Sequence, residues 1–306
     1  MFSPPWRDLA PSPRIPQKLR TDLHGYAFAI PFLFVYAVFM LWPIISGLRM
    51  SFSNVSLLGG SSPSVGFQNY DQALHDPDFW SALWHSVEFT VITTPPLVVL
   101  GLGLAILANR VMPGRAIFRM ALFAPFVLPV TVVTLLWGWL YEPSFGLING
   151  YLKQLGLPAI GWLTDTSTAM PAIAITTIWW TLGFNFLLYL AGLQAIPREI
   201  YEASAVDGAG AWTQMWRLTV PLLKRTTAIV VILQVLNSLK VFGQIYAMTN
   251  GGPNFSTRSM VEYIYDQGFT SYHLGYAAAM SFLFFIVLLA VSVFQFGLFA
   301  RRRHAE

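Results

Sequence analysis

Hydrophobic residues along this 306-residue chain gather into long unbroken runs, not into the alternation of a half-buried strand. Six runs reach the roughly 20 residues a helix needs to cross a hydrocarbon layer. They cover about 26–48, 89–108, 117–140, 171–193, 226–248 and 276–299. Each predicts a helix, because lipid offers no partner to a free backbone N–H or C=O. Pro95 with Pro96, and Pro125 with Pro129, fall inside runs. They predict kinks whose freed carbonyls are satisfied by neighbours. Between the runs, 49–88, 141–170 and 249–275 are rich in Gly, Ser, Pro and aromatics. "TNGGPNFST" in the last of them reads as a turn cluster.

Composition agrees with a polytopic membrane protein. The chain is 55% hydrophobic and only 10% charged, with a mean hydropathy of +0.57, where soluble domains run near a quarter charged. Its cations are sorted: Arg7, Arg14, Lys18 and Arg20; Arg110, Arg115 and Arg119; Arg198, Arg217, Lys224 and Arg225; and Arg301, Arg302 and Arg303 all fall on one side of the six-run topology. By the positive-inside rule that side is cytosolic. Both termini are therefore expected in the cytosol, as a tail over 1–24, a membrane domain over 25–300 and a basic end over 301–306. The first 24 residues lack an apolar core followed by a small-residue cleavage site, so they do not read as a signal peptide.

Several kinds of chemistry have no residues to run on. No cysteine is present, which removes disulfides and thiolates. No GxxxxGK[ST] or HExxH occurs, and His24, His75, His85, His273 and His304 are scattered, so neither a nucleotide nor a metal site is expected. No Asp or Glu lies within the six runs, where ion-coupled carriers place their relays. A net charge of +4 reflects membrane topology, not nucleic-acid binding.

Polarity concentrates between the fourth and fifth runs, in "YEASAVDGAGAWTQMWRLTVP". Pro197 with Glu199 and Glu202 suits the first turn of a helix. Asp207-Gly208 then predicts a turn, and a second helix with Trp212, Met215, Trp216 and Thr219 along one face lies on the cytosolic surface until Pro221 starts the next run. Small residues Ala203, Ser204, Ala205, Gly208, Ala209 and Gly210 permit close approach of a partner. By pattern alone this is either a docking elbow or an interfacial amphipathic hairpin.

The stretch resembles the EAA loop of permease subunits of binding-protein-dependent ABC importers, which reads EAA, three residues, G, nine residues, an aliphatic residue, one more, then LP. Glu202, Ala203, Asp207, Gly208, Ala209, Leu218 and Pro221 fit that frame; Ser204 stands for the second alanine, Val220 for the leucine, and Arg225 where a further proline is frequent. "LWPIISGLRMSF", "GFQNY", "DPDFWSALWHS" and "TNGGPNFST" extend the likeness and make it similar to sugar permeases of the maltose and glycerol-phosphate type. The resemblance implies an all-α integral-membrane protein with the type I ABC importer permease fold and cytosolic coupling helices at about 197–221. It implies a non-catalytic subunit in a bacterial or archaeal cytoplasmic membrane. Its partners would be a second permease subunit, a cytosolic ATPase dimer that holds ATP and Mg, and an extracytoplasmic solute-binding protein. Glu202, Ala203, Ser204, Asp207, Gly208, Ala209 and Pro221 would couple to the ATPase.

For the solute, Gln234, Asn237, Ser238 and Val241 fall at i, i+3, i+4 and i+7 of the fifth run. Thr177, Thr181, Phe184 and Asn185 have similar spacing on the fourth. Amides and hydroxyls beside rings suit a sugar, and related permeases are expected to hold solute between these helices; interhelical hydrogen bonding is the other role open to them. Lys240 either meets an anionic solute, pairs, or snorkels outward. A non-sugar permease of the same superfamily, a stand-alone carrier and a membrane-embedded enzyme are the rival classes.

Overall fold

The computed structural model describes residues 29–59, 62–109 and 114–301. The expected cytosolic tail over 1–24, Arg110 and the basic end after residue 301 lie outside the described residues. Among the described residues thirteen helices follow in order: α1 (Ala29–Ser51, with a π-turn at Ala37–Leu41), α2 (Gln68–His75), α3 (Pro77–Asn109), α4 (Arg115–Val127), α5 (Val130–Tyr141), α6 (Leu147–Gln154), α7 (Ala169–Gln194), α8 (Arg198–Val206), α9 (Ala211–Leu222), α10 (Lys224–Leu239), α11 (Gly243–Met248), α12 (Met260–Tyr265, continued by a π-turn at Asp266–Thr270) and α13 (Leu274–Arg301). No β-strand forms among the described residues, only two isolated bridges.

Four helices, α1, α3, α7 and α13, are long and apolar enough to cross a membrane unbroken, and the bent pairs α4–α5 and α9–α10 bring the number to six if each is one span. The second run was expected to begin at 89, with the preceding residues in a loop. Instead α3 starts at Pro77 and runs for 33 residues, about 50 Å at 1.5 Å per residue. That exceeds the ~30 Å hydrocarbon core, so its first turns stand outside it. Proline at the first helical position forfeits no hydrogen bond, and the Asp78 N–H donates to Asp76 Oδ1 at 2.9 Å.

The third run is broken, not kinked: α4 and α5 meet at 97° across Leu128 and Pro129. A residue before proline is driven out of the helical region, and Leu128 accordingly has ψ 138°. Pro95, Pro96 and Pro125 sit inside helices without such a break. The fifth run is also discontinuous. Its helix begins at Lys224, not Pro221, after a 61° bend at Leu223, and stops at Leu239 before the short α11 resumes at Gly243.

Packing centres on α3 against α7, with α4 and α10 beside them. Close approach is set by glycines. A Cβ on Gly183 of α7 would stand 2.5 Å from the Leu122 carbonyl oxygen of α4, and one on Gly101 would stand 3.1 Å from Asn185 Cβ. Gly103, two residues on, faces open space.

At the end of the bundle where α3 begins, the helices are tied by polar side chains. Asp76 Oδ2 accepts hydrogen bonds from the hydroxyls of Tyr263 (2.5 Å) and Tyr276 (2.6 Å), joining the start of α3 to α12 and α13. Burial alone would raise the Asp76 carboxyl, but those hydroxyls and the N–H groups of Asp78 and Phe79 hold it below its usual range. Arg258 pairs with Asp78 at 3.2 Å and lies over the rings of Phe255 and Tyr263. Ser86 Oγ accepts from the Met260 N–H at 2.8 Å.

Candidate functional site

Two constellations carry the residues that the sequence singles out. The first is the elbow. Pro197 takes the N-cap position of α8, and Glu199 sits in its first turn. The helix ends where Asp207-Gly208 predicts: Gly208 has φ +82°, the Gly208 N–H donates to Ala205 O at 3.1 Å, and the Ala209 N–H donates to Ser204 O at 2.9 Å. This pair of bonds is a Schellman motif, which requires a left-handed residue that glycine adopts without strain. Glu202, Ala203, Asp207, Gly208 and Pro221 are exposed, while Ser204 and Ala209 are half-buried.

The return arm, α9, is bolted to α8. Gln214 Nε2 donates to Ser204 Oγ (2.9 Å) and to Tyr201 O (3.2 Å), and the hydroxyls of Tyr201 and Thr219 lie 3.1 Å apart. Gln214 and Thr219 are five residues apart, a spacing that a regular α-helix does not bring to one face. A π-turn at Met215–Thr219 supplies the extra rotation. Sequence reasoning missed Tyr201, Gln214 and Thr219 as bolts. For Gln214 and Thr219 the only signal was polarity on the arm that carries Trp212 and Trp216, and Tyr201 on α8 gave none.

The second constellation lies between α3, α7 and α10. Asn185 Nδ2 donates to Gln234 Oε1, Gln234 Nε2 donates to Ser238 Oγ, and Ser238 Oγ meets Thr93 Oγ1, each at 3.0 Å. All four are buried. Asn237 is exposed, apart from Gln234, Ser238 and Val241, which face inward. Thr177 and Thr181 donate to carbonyls of their own helix, and Gln244 Nε2 reaches Thr177 Oγ1 at 3.5 Å. Phe184 stacks on Phe126 with centroids 5.3 Å apart. Lys240 is exposed at the C-cap of α10, and no ion pair to it is found among the described residues. Thr93 carried no role in the sequence reading, because a hydroxyl in a Thr-Thr-Pro-Pro stretch reads first as a kink partner.

Residues 97–304 match the family described as the binding-protein-dependent transport system inner membrane component. The chain belongs to this family of importer permeases. It is 35% identical over 263 residues to the sulfoquinovosyl glycerol transport system permease protein SmoG of Agrobacterium fabrum, covering 86% of this chain and 85% of that one. It is 33% identical to the trehalose/maltose transport system permease protein MalF of Thermococcus litoralis, covering 90% and 93%. Among solved structures it superposes, with a TM-score of 0.81 and 24% identity, on a chain of a bacterial alginate ABC transporter in complex with an alginate pentasaccharide-bound periplasmic protein, covering 92% of this chain and 96% of that one. The permease is thus a transport subunit, not an enzyme, and its fold is that of the type I importer permeases. Among its described residues no group of three or more His, Asp or Glu side chains is placed to hold a metal.

Proposed function

We propose that this permease is one of two such subunits in an ATP-driven importer of a bacterial or archaeal cytoplasmic membrane, moving a sugar or sugar derivative inward. Both termini and the elbow are cytosolic in this reading. A separate ATPase dimer binds ATP and Mg, and an extracytoplasmic solute-binding protein delivers the solute to the outer loops. The observation that carries it is the elbow itself. None of the nine residues of α8 is buried within the chain, yet the helix is held out at a fixed angle by the Gly208 turn and the bolts to Gln214 and Thr219. An exposed rigid helix of this kind suits a groove on another subunit. Glu202 would pair there with a basic group, an interaction that fixes register more than it adds affinity. Closure of the ATPase would then move α7 and α10 as packed bodies.

The test is uptake in cells that carry the full importer with Glu202→Lys or Gly208→Asp. Loss of uptake with the protein still in the membrane is expected; normal uptake in both would end this reading. The solute class rests on the sugar-named relatives and on polar and ring side chains at Thr177, Thr181, Phe184, Gln234, Asn237, Ser238 and Val241. A narrower role for Gln234 and Ser238 is favoured by their closed hydrogen bonds to Asn185 and Thr93: they bolt helices and leave solute contact to Asn237 and Phe184. Asn237→Ala raising KM while Gln234→Ala lowers only the amount of folded protein would support that division.

A further inference from the structure

The two arms of the elbow differ in charge. The α8 arm and its turn carry Glu199, Glu202 and Asp207 against Arg198. From Ala211 onward the α9 arm and its junction with α10 carry Arg217, Lys224 and Arg225 and no carboxylate. The α9 arm also presents two indoles. Trp212 and Trp216 are 72% and 54% exposed, with ring centroids 5.8 Å apart in an edge-on pair. They stand four residues apart on a face turned away from the bolts to α8.

Where that face points follows from the bend. α9 meets α10 at 61° across the single residue Leu223. With α10 crossing the bilayer, α9 lies closer to the membrane plane than to its normal, one residue from the start of the span. Indoles at that depth sit among headgroups, where their amphipathic rings are favoured. Arg217, next to Trp216 in the chain, and Arg225, in the first turn of α10, are exposed and suit anionic headgroups.

We propose that α9 is a membrane-surface anchor, with Trp212 and Trp216 seated in the inner leaflet and Arg217 and Arg225 on anionic phospholipid headgroups. The elbow is then gripped on both sides, an acidic arm toward the ATPase and a basic, aromatic arm toward lipid. This rests on the cytosolic placement of the elbow given above. It adds that anionic lipid sets how firmly the return arm is held while the other arm is pushed.

The absence of cysteines allows a clean test. Trp212→Cys and Trp216→Cys, each spin-labelled in the full importer reconstituted in vesicles, are read for collision with dissolved oxygen and with a water-soluble nickel complex, with and without the ATPase subunits. The labels should be reached by oxygen and shielded from nickel in both conditions. Free access to nickel, or shielding that arises only when the ATPase is present, would overturn the proposal, the latter by giving this face to the ATPase. In a second arm, uptake is compared between vesicles of phosphatidylcholine and vesicles that also contain phosphatidylglycerol. A several-fold gain from the anionic lipid is expected, shrinking to none in Arg217→Gln with Arg225→Gln; an equal gain in that variant would overturn the headgroup contact. Labelling of the same cysteines by an impermeant thiol reagent from outside intact cells would instead bring down the cytosolic placement itself, a failure separate from that of the lipid contact.

Discussion

The cap around Asp76, where α3 begins, and the elbow at the other end of the bundle are built on opposite plans. In the cap, Asp76, Arg258, Tyr263 and Tyr276 join segments up to 200 positions apart by short hydrogen bonds, an ion pair and ring contacts, several of them buried. In the elbow, all bolts are within 18 positions, and Val206 at its tip is 89% exposed. The difference separates two tasks. Long-range ties hold a bundle together, whereas a locally folded arm presents a surface without depending on the bundle for its shape. Stability should therefore be sensitive to cap residues and transport to elbow residues.

The largest stability effect is expected at Asp76. Asp76→Ala removes two hydrogen bonds to a carboxylate and a helix cap, together about 3 kcal/mol. The unfolding midpoint in detergent should fall sharply, and uptake should fall only in step with the amount of folded protein. Uptake lost without loss of stability would break the contrast. Next is Gly183→Ala, whose methyl would meet backbone of α4. A cost of about 1–3 kcal/mol is expected from overpacking, measured in the same way.

Glu262 sharpens the comparison through pH. It lies on α12 at 1% exposure, and neither carboxylate oxygen has a hydrogen-bond partner. Burial, and then the nearby Asp266 charge, push it up to about 7. Below the ordinary range near 4.5 the group is protonated whether the chain is folded or not. As pH rises toward 7 the unfolded chain ionises first, so stability declines over that window and levels off above it. Asp266, also raised, adds to the same trend. Glu262→Gln should flatten most of the slope in thermal unfolding between pH 5 and about 7. An unchanged slope would show that the acid is not the source.

Smaller effects follow. Ser238→Ala opens one rung between α3 and α10 and should cost about 0.6 kcal/mol, the average for such bonds in membrane bundles. Glu202→Gln should shift stability by less than about 0.5 kcal/mol while still lowering uptake. A stability loss at Glu202 comparable to that at Asp76 would mean that the elbow is part of the scaffold after all.

How far these features are legible before folding depends on their range. Hydrophobic runs mark the membrane segments because length and polarity are local properties, and the Gly208 turn is equally local. Which proline breaks a run is not: Pro129 does and Pro125 does not, and the straight part of the fifth run ends at Leu239 with no proline near it. The two pieces beyond the breaks, α5 and α11, pack against each other, a contact between distant segments that no local pattern records. Glu262 reads as one more polar residue in an outer segment, since its burial comes from helices distant in sequence. In the elbow the tip was visible and the bolts were not, because a π-turn changes which residues share a face.

The ladder from Asn185 through Gln234 and Ser238 to Thr93 has a consequence for how the bundle can shift. Each amide or hydroxyl already has a mate, so a helix that slides past its neighbour must divorce one pair to form another. Such an exchange is nearly even in free energy. Rungs of this kind keep three helices in register while leaving them free to trade one alignment for the next.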